Sequence, residues 1–424
     1  MIRDPLRVLT TLVLWLLLST AIEALAQPFD IPSPNVPSDV RGLNPSLTIS
    51  FGSQKWADFN ADGEMDFVMV GRLPATDLGI VPLFGDVFRS SPSRPEPTSP
   101  ILYNYFSART IQSMWLTDVD WGDYDNDGDL DLVVMGATSV DDDLAPETLL
   151  YQAIGDQVAA VGDATLPGVH SGGVAWGDFD RDGDLDLAIS GVRADGSHLS
   201  TILRNDGGGA FVDVRPALPQ LAYGDVDWID YDLDGDPDLL LCGADEDGSM
   251  HLVVYRNDNN GTLVDSGQSL LGVQQASTSW GDYDADGDPD LVVSGFEHSP
   301  VLGNGRTRLY ENVDGTFVMV PTTLPDVYFG DVQWVDYERD GDLDIIVTGR
   351  TEPFGSNTTV ACLHSDGTFS CVPVQVAGLG GQPIPGVAYG TIGWADYDHD
   401  SDLDLFVTGD RGRDNVITLF YRNA

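Results

Sequence analysis

Asp123, Asp125, Asp127, Asp129 and Asp131 stand at every second position of WGDYDNDGDLDLVVMG (121–136), and Gly128 breaks the run between the third and fourth acids. Counted from its first acid, the loop offers carboxylates at positions 1, 3, 5, 7 and 9 with glycine at 6. The same pattern occurs seven times. The first copy carries Asp58, Asn60, Asp62, Glu64 and Asp66, and the third Asp178, Asp180, Asp182, Asp184 and Asp186. The fourth has Asp230, Asp232, Asp234, Asp236 and Asp238, and the fifth Asp282, Asp284, Asp286, Asp288 and Asp290. Asp336, Glu338, Asp340, Asp342 and Asp344 form the sixth; Asp396, Asp398, Asp400, Asp402 and Asp404 form the seventh. Two carboxylates about 4 Å apart repel by about 4 kcal/mol at an effective dielectric near 20, so five packed together need a cation to stay charged and folded. Side chains at positions 1, 3, 5 and 9 with the backbone carbonyl of residue 7 make an all-oxygen ligand set. That set suits Ca²⁺, which takes six to eight oxygens; Mg²⁺ prefers fewer protein ligands and keeps its water. The absence of His or Cys ligands argues against zinc and copper. An EF-hand is excluded, because position 12 of the second copy is Val134 where that motif needs a glutamate. Up to seven Ca²⁺ are expected. The seventh site is expected to be the weakest, since Ser401 stands where the others have glycine. His399 occupies a non-ligand position in the same loop.

Each loop needs two elements to hold it. A tryptophan precedes every copy (Trp56, Trp121, Trp176, Trp228, Trp280, Trp334, Trp394), at intervals of 52 to 65 residues. A glycine follows the last acid by five residues (Gly71, Gly136, Gly191, Gly243, Gly295, Gly349, Gly409). Fixed landmarks with variable spacing mark a repeat architecture. In the fourth copy a run ending at Trp228 leads through the acidic loop into Leu239–Cys242. The polar turn ADEDGSM, a third run HLVVYRN and a fourth, TLVDS, complete the unit. Short runs separated by Gly/Asn/Asp turns read as four strands. The second is apolar on both faces, as a strand between packed sheets must be. No amphipathic helical period is visible after the amino terminus. The fold class expected is therefore all-β: a seven-bladed β-propeller of four-stranded antiparallel blades. The seventh copy stops at LFYRNA (419–424), its third strand. PFDIPS (28–33) at the mature amino terminus is expected to complete that blade, closing the ring and hiding a sheet edge.

Residues 1–26 read as a secretory signal, with Arg3 and Arg7 before the apolar stretch 8–22 and Ala24-Leu25-Ala26 before the cut. The apolar run is shorter than a spanning helix needs. Residues 27–424 then form the propeller, exported to the extracellular space, the periplasm or the cell surface. Net charge is −48, with 68 acids against 20 bases. Half of those acids, 34, belong to the seven loops, so the remainder is only moderately acidic and the 42% apolar content can build a core. The single lysine, Lys55, and scattered arginines give no basic stripe for nucleic acid. Cys362 and Cys371 flank LHSDGTFS, a hairpin turn, and are placed either to cross-link or to remain free; Cys242 reads as a small buried hydrophobe.

The loop resembles the calcium-binding repeat of the FG-GAP/VCBS group, known from the propeller of integrin α chains. Its first half stands here as Phe51-Gly52, Tyr223-Gly224, Phe329-Gly330 and Tyr389-Gly390, each glycine four residues before its tryptophan. The second half is the Trp-Gly/Ala-Asp sequence. The resemblance covers nearly all of residues 28–424. It implies a seven-bladed propeller with calcium on the loops between strands 1 and 2. Unlike integrins, this chain has an acidic loop in every repeat, so integrin-style signalling is not implied.

In an up-and-down blade the 1–2 and 3–4 turns share one face, and the 2–3 and 4–1 connections share the other. A partner is expected on the face opposite the acidic loops, where the 2–3 connections carry Arg72, Arg89, Arg94, Arg193, Arg306, Arg308, Arg350, Arg411 and Arg413. These arginines either recognise an anionic glycan or protein patch, or pair with acids of their own loops. His170, His198, His251, His298, His364 and His399 share no motif, and no nucleophile, phosphate or dinucleotide signature occurs. The function expected is a non-catalytic binding or adhesion module for an extracellular glycan or protein, monomeric, with no membrane span in the mature chain. The alternatives are a lyase-like enzyme acting on polysaccharide, or a structural subunit of a surface assembly.

Overall fold

The apolar second runs are the innermost layers of the packing: DLVVMGA, DLAISGV, DLLLCGA and DLVVSGF are buried at every residue. The structure, a computed structural model, describes residues 49–73, 83–89, 104–105, 111–140, 144–162, 165–207, 209–214, 216–258, 261–297, 305–351, 356–374, 383–396, 403–412 and 415–421. These contain strands and turns and no helix.

Blade 1 comprises β1 (Ser50–Ala57), β2 (Asp66–Arg72), β3 (Leu83–Arg89) and β4 (Asn104–Tyr105). Blade 2 follows with β5 (Trp115–Gly122), β6 (Asp131–Ala137), β7 (Pro146–Ile154) and β8 (Gln157–Ala160). In blade 3 the strands are β9 (Val174–Gly177), β10 (Asp186–Val192), β11 (His198–Asn205) and β12 (Phe211–Asp213). Blade 4 has β13 (Val226–Ile229), β14 (Asp238–Ala244), β15 (Met250–Asn257) and β16 (Leu263–Asp265). Blade 5 has β17 (Gln274–Gly281), β18 (Asp290–Phe296), β19 (Gly305–Val313) and β20 (Thr316–Val320). Blade 6 is β21 (Tyr328–Val335), β22 (Asp344–Arg350), β23 (Asn357–Ser365) and β24 (Thr368–Pro373). Blade 7 has three described strands: β25 (Ile392–Ala395), β26 (Asp404–Asp410) and β27 (Val416–Tyr421). Within each blade neighbours in sequence are neighbours in the sheet, all antiparallel. This is the expected fold class, seven blades in a ring. The segment 28–33 expected to complete blade 7, like the signal 1–26, lies outside the described residues.

Two sequence signatures have a steric cause. At the start of the first strands Phe51, Tyr223, Phe329 and Tyr389 adopt positive φ, as do Leu116, Ser171 and Gln275 at the matching place in the other three blades. The residue that follows lies on strand 2 of its own blade, and a Cβ at Gly52, Gly224, Gly330 or Gly390 would overlap a carbonyl oxygen there. These turns are tied blade to blade through backbone bonds. Phe51 N–H donates to Tyr389 O at 2.7 Å, joining blade 1 to blade 7, and Ser171, Tyr223, Gln275 and Tyr389 each bond the preceding blade in the same way. At the other end of the first strand, Trp176, Trp228 and Trp334 each lean on the residue after the preceding tryptophan. A Cβ on Gly122, Gly177 or Gly281 would come within 2.8 Å of Trp176, Trp228 or Trp334. The Trp-Gly pair is thus a blade-to-blade contact.

The core is correspondingly divided into clusters between adjacent blades. One joins Val68 and Val70 of blade 1 to Val119 and Leu132 of blade 2, and another joins Leu240 and Cys242 of blade 4 to Leu291 and Val293 of blade 5. Cys242 is buried and free, as expected, while Cys362 and Cys371 sit directly opposite each other on β23 and β24 and are bonded.

Candidate metal sites

Loop conformation is set by hydrogen bonds from backbone to the acids themselves. In loop 2, Asp123 accepts the N–H of Asp127 (3.0 Å) through one oxygen and that of Gly128 (3.0 Å) through the other; Asp127 accepts the N–H of Asp129 (3.1 Å). The same bonds recur in loop 3 from Asp178 and Asp182, in loop 5 from Asp282 and Asp286, and in loop 6 from Asp336 and Asp340. Loop 1 repeats the first two at Asp58, whereas loop 4 keeps the bond of Gly235 N–H to Asp230 and that of Asp236 N–H to Asp234. The turn needs left-handed backbone twice. Gly63, Gly128, Gly183, Gly235, Gly287 and Gly341 supply it at position 6. Position 4 supplies it with side chains, at Ala61, Asn126, Arg181, Leu233, Ala285 and Arg339, φ 53° to 60°. Sequence reasoning foresaw the first and missed the second, because no residue type marks position 4.

Position 9 is the anchor. Asp66, Asp131, Asp186, Asp238, Asp290 and Asp344 are fully buried and open the second strand. Asp186 accepts the N–H of Phe179 (3.0 Å) on one oxygen and of Asn205 (2.8 Å) on the other, and Asp131, Asp238, Asp290 and Asp344 are held alike. Burial pushes Asp131, Asp186, Asp238 and Asp290 up to about 7 against the pull of those bonds, and the acids at positions 3 and 5 push the same way. Burial also raises Asp125, Asp180, Asp232 and Asp284 at position 3, with repulsion from the position-5 acid next.

In loops 2 to 5 three carboxylates bring oxygens within 4.8 Å of one another: Asp123, Asp125 and Asp127; Asp178, Asp180 and Asp186; Asp230, Asp232 and Asp234; Asp282, Asp284 and Asp290. These four groups could hold a metal ion. The donor set passes a further test. Asp125 Oδ1, Asp180 Oδ1, Asp230 Oδ1 and Asp232 Oδ1 are shielded from solvent and accept no hydrogen bond. A buried, unbonded carboxylate oxygen carries a desolvation cost that a cation would remove. Position 7 faces elsewhere. Asp184 accepts from Asn126 of loop 2 at 2.8 Å, Asp236 pairs with Arg181 of loop 3 at 2.7 Å, and Asp288 accepts the N–H of Asp314 at 3.0 Å. Those side chains link loops to neighbouring loops and turns, leaving the backbone carbonyl as the donor that position 7 can turn inward. In loop 7, Asp396 and Asp404 are described, whereas Asp398, Asp400, Asp402, His399 and Ser401 lie outside the described residues.

One third-strand position beside the loops differs in charge from blade to blade. Gln152 donates to Asp125 at 2.5 Å, Arg204 lies 3.9 Å from Asp180, and Arg256 acts electrostatically on Asp232, whereas Glu311 adds a carboxylate beside Asp284. Contacts between loops and 3–4 turns, such as Asn60 to Asp156 (3.2 Å), put both on one face, as the blade topology requires.

The fold and site define a β-propeller carrying acidic, metal-competent loops on one face. Residues 178–241 and 230–293 match the FG-GAP-like repeat, each stretch running from position 1 of one loop into the second strand of the next blade. The chain thus carries FG-GAP-like repeats within a seven-bladed propeller. No curated protein matches it.

Proposed function

We propose that this protein is an exported, calcium-loaded binding module, non-catalytic, whose recognition surface is the face opposite the acidic loops. When bound, calcium supplies charge neutralisation, and positions 1, 3, 5 and 9 with the carbonyl of residue 7 would hold it. The FG-GAP propeller fold is consistent with a binding module. Export is supported by the Cys362–Cys371 bond, which favours an oxidising compartment, and by the leader-like composition of residues 1–26. Among the described residues no helix is long and apolar enough to cross a membrane.

The observation that carries the choice of surface lies where the first strands begin. Phe51, Tyr389 and Phe329 stack in a row with ring centroids 4.4 and 4.5 Å apart. Arg72 lies over Phe51 at 5.8 Å and Arg350 over Tyr389 at 5.3 Å. Neither has a carboxylate partner among the described residues, in a chain with 68 acids. Arg306 and Arg308 behave otherwise: they pair with Glu297 (2.5 Å) and Asp326 (3.0 Å), so they serve their own loops. Arg193 lines a cleft of about 360 Å³ with Ser200, Thr201, Asp213 and Gln220. Arg89, Arg94 and Arg413 lie outside the described side chains. Two arginines resting on aromatic rings suit an anionic sugar or an acidic peptide, which offers carboxylates to the guanidinium groups and an apolar face to the rings.

An array of acidic and neutral glycans tests this. Wild-type protein with calcium is expected to bind acidic members, and Arg72→Ala with Arg350→Ala to bind them at least ~10-fold more weakly, in line with loss of two charge-assisted contacts. Unchanged binding in the double variant removes this surface from consideration, and release of cleaved oligosaccharides would replace the binding reading with the enzymatic one.

A further inference from the structure

A buried asparagine closes the third strand of blades 3, 4 and 5: Asn205, Asn257 and Asn312, each wholly shielded from solvent. Each bonds in three directions. The N–H of Asn257 donates to Asp238, position 9 of its own loop, at 2.7 Å. Its Nδ2 donates to Pro237 O in the same loop at 3.0 Å and to Phe179 O, position 2 of the preceding loop, at 2.6 Å. Asn205 does the same with Asp186, Leu185 O and Tyr124 O, and Asn312 with Asp290, Pro289 O and Tyr231 O. The position-2 residues in turn give their N–H to position 9 of their own loops. The result is an unbroken line of hydrogen bonds from Asp131 in loop 2 through Asp186 and Asp238 to Asp290 in loop 5. The asparagine side chains are missing at both ends, although at the first end Leu130 N–H of loop 2 still reaches Phe59 O of loop 1 at 2.9 Å. Blade 2 has Ala153 at the corresponding place, which offers its N–H to Asp131 and no side-chain donor. Blade 6 has His364, whose N–H reaches Asp344 but whose two ring nitrogens are buried without a hydrogen-bond partner.

We propose that loops 2 to 5 bind their cations as one coupled block, with Asn205, Asn257 and Asn312 as positioning residues, and that loop 6 binds independently. The inference rests on the calcium reading above. A cation that draws in the position-9 carboxylate fixes the backbone at position 2, whose carbonyl orients the next asparagine and, through its N–H, the next position-9 acid. Every group in the line is buried, so its bonds cannot be exchanged for water without cost, and an ordered link predisposes its neighbour to order. Coupling between sites is reciprocal, so loss of a cation in loop 4 weakens loops 3 and 5 alike.

Calcium titration of the full chain by calorimetry tests the block. Asp232→Asn is expected to remove one site and to weaken the neighbouring sites by roughly five-fold or more, the lower range of measured couplings. In an Asn257→Ala background the same change should weaken loop 3 by much less than in wild type, because the buried line is cut and only the half-exposed Arg181–Asp236 pair still joins loops 3 and 4, while the loop 4–loop 5 coupling through Asn312 persists. If Asn257→Ala does not fold, Asn257→His, which copies blade 6, makes the same cut. Hydrogen exchange at the Phe179 and Tyr231 amides gives a second readout: protection should spread across loops together in wild type and stepwise in the variant. Independent sites with equal affinities before and after Asp232→Asn overturn the coupling while leaving calcium binding standing. Absence of any binding heat overturns both.

Discussion

A carboxylate at position 9 faces conflicting demands. It is wholly buried and accepts two backbone N–H bonds, which favour the charged form, yet burial and the acids beside it push it up to about 7 in loops 2 to 5. The sign of the pH dependence follows. The folded value lies above the unfolded value near 3.9, so between roughly pH 4 and 7 the metal-free fold holds protons that the unfolded chain has released. That contribution is complete below the unfolded pKa and is lost as pH rises through about 7. Thermal melts in chelator should therefore give a higher Tm near about pH 5 than near about pH 8, and calcium should abolish or reverse the difference by displacing those protons. A metal-free Tm that climbs over that interval contradicts the arrangement. Lys55 shows the same competition with the opposite outcome. Burial alone would depress it, but Asp120, at 2.7 Å, and Asp118 raise it above its ordinary value.

At the scale of the strand and its loop, the blade contact at the tryptophan does two tasks. The ring of Tyr124 stacks on Trp176 and that of Tyr283 on Trp334, at centroid distances of 6.1 and 5.8 Å, so in these loops position 2 is both a hydrogen-bond donor to the position-9 acid and a packing surface. Trp228 adds a bond from its Nε1 to Ala175 O (3.3 Å) on the first strand of the preceding blade. Gly177 lies against Trp228, within 2.6 Å of where a Cβ would sit. Gly177→Ala should then cost about 1–3 kcal/mol through overpacking, read from the urea midpoint at constant slope. A midpoint equal to wild type would show that this contact has slack. The acidic loop, the tryptophan and the trailing glycine were all legible in the sequence, since residue type and spacing carry them. Asn205, Asn257 and Asn312 were not recognised, although LRNDG, YRNDN and YENVD repeat at the same offset; their importance depends on the preceding blade, which no local pattern reveals.

For the whole ring, closure is made between the first and last blades. Phe51 bonds Tyr389, Trp56 meets Phe406 at 6.1 Å, and a Cβ on Gly393 would strike Gln54 and Trp56. Each blade packs against its neighbours, so loss of any cation held at the loops would loosen the interfaces beside them. Chelation is expected to lower Tm by about 10 °C or more and to restore it on return of calcium, because ligand bound only to the folded state adds to stability in proportion to ln(1 + [L]/Kd). Differential scanning calorimetry checks this, and a Tm indifferent to chelator would leave the acidic loops without their cation.

The sequence by itself determined the repeat number, the four-stranded unit and the identity of the acids, because alternating burial and turn chemistry are local properties of the chain. It also placed Cys362 and Cys371 across a hairpin without deciding between bond and free thiols; direct opposition on β23 and β24 decided that. The sequence also set position 7 apart from positions 1, 3, 5 and 9, but only the tertiary structure showed what the position-7 side chains bond. In loops 2 to 5 positions 1 and 3 converge with either 5 or 9, while Asp184 and Asp236 at position 7 bond a neighbouring loop, an arrangement that arises from left-handed backbone at positions 4 and 6 and from the proximity of adjacent blades. It also distinguished Arg72 and Arg350, resting on rings, from Arg306 and Arg308, paired with acids, because long flexible side chains take their partners from whatever the folded ring brings within reach.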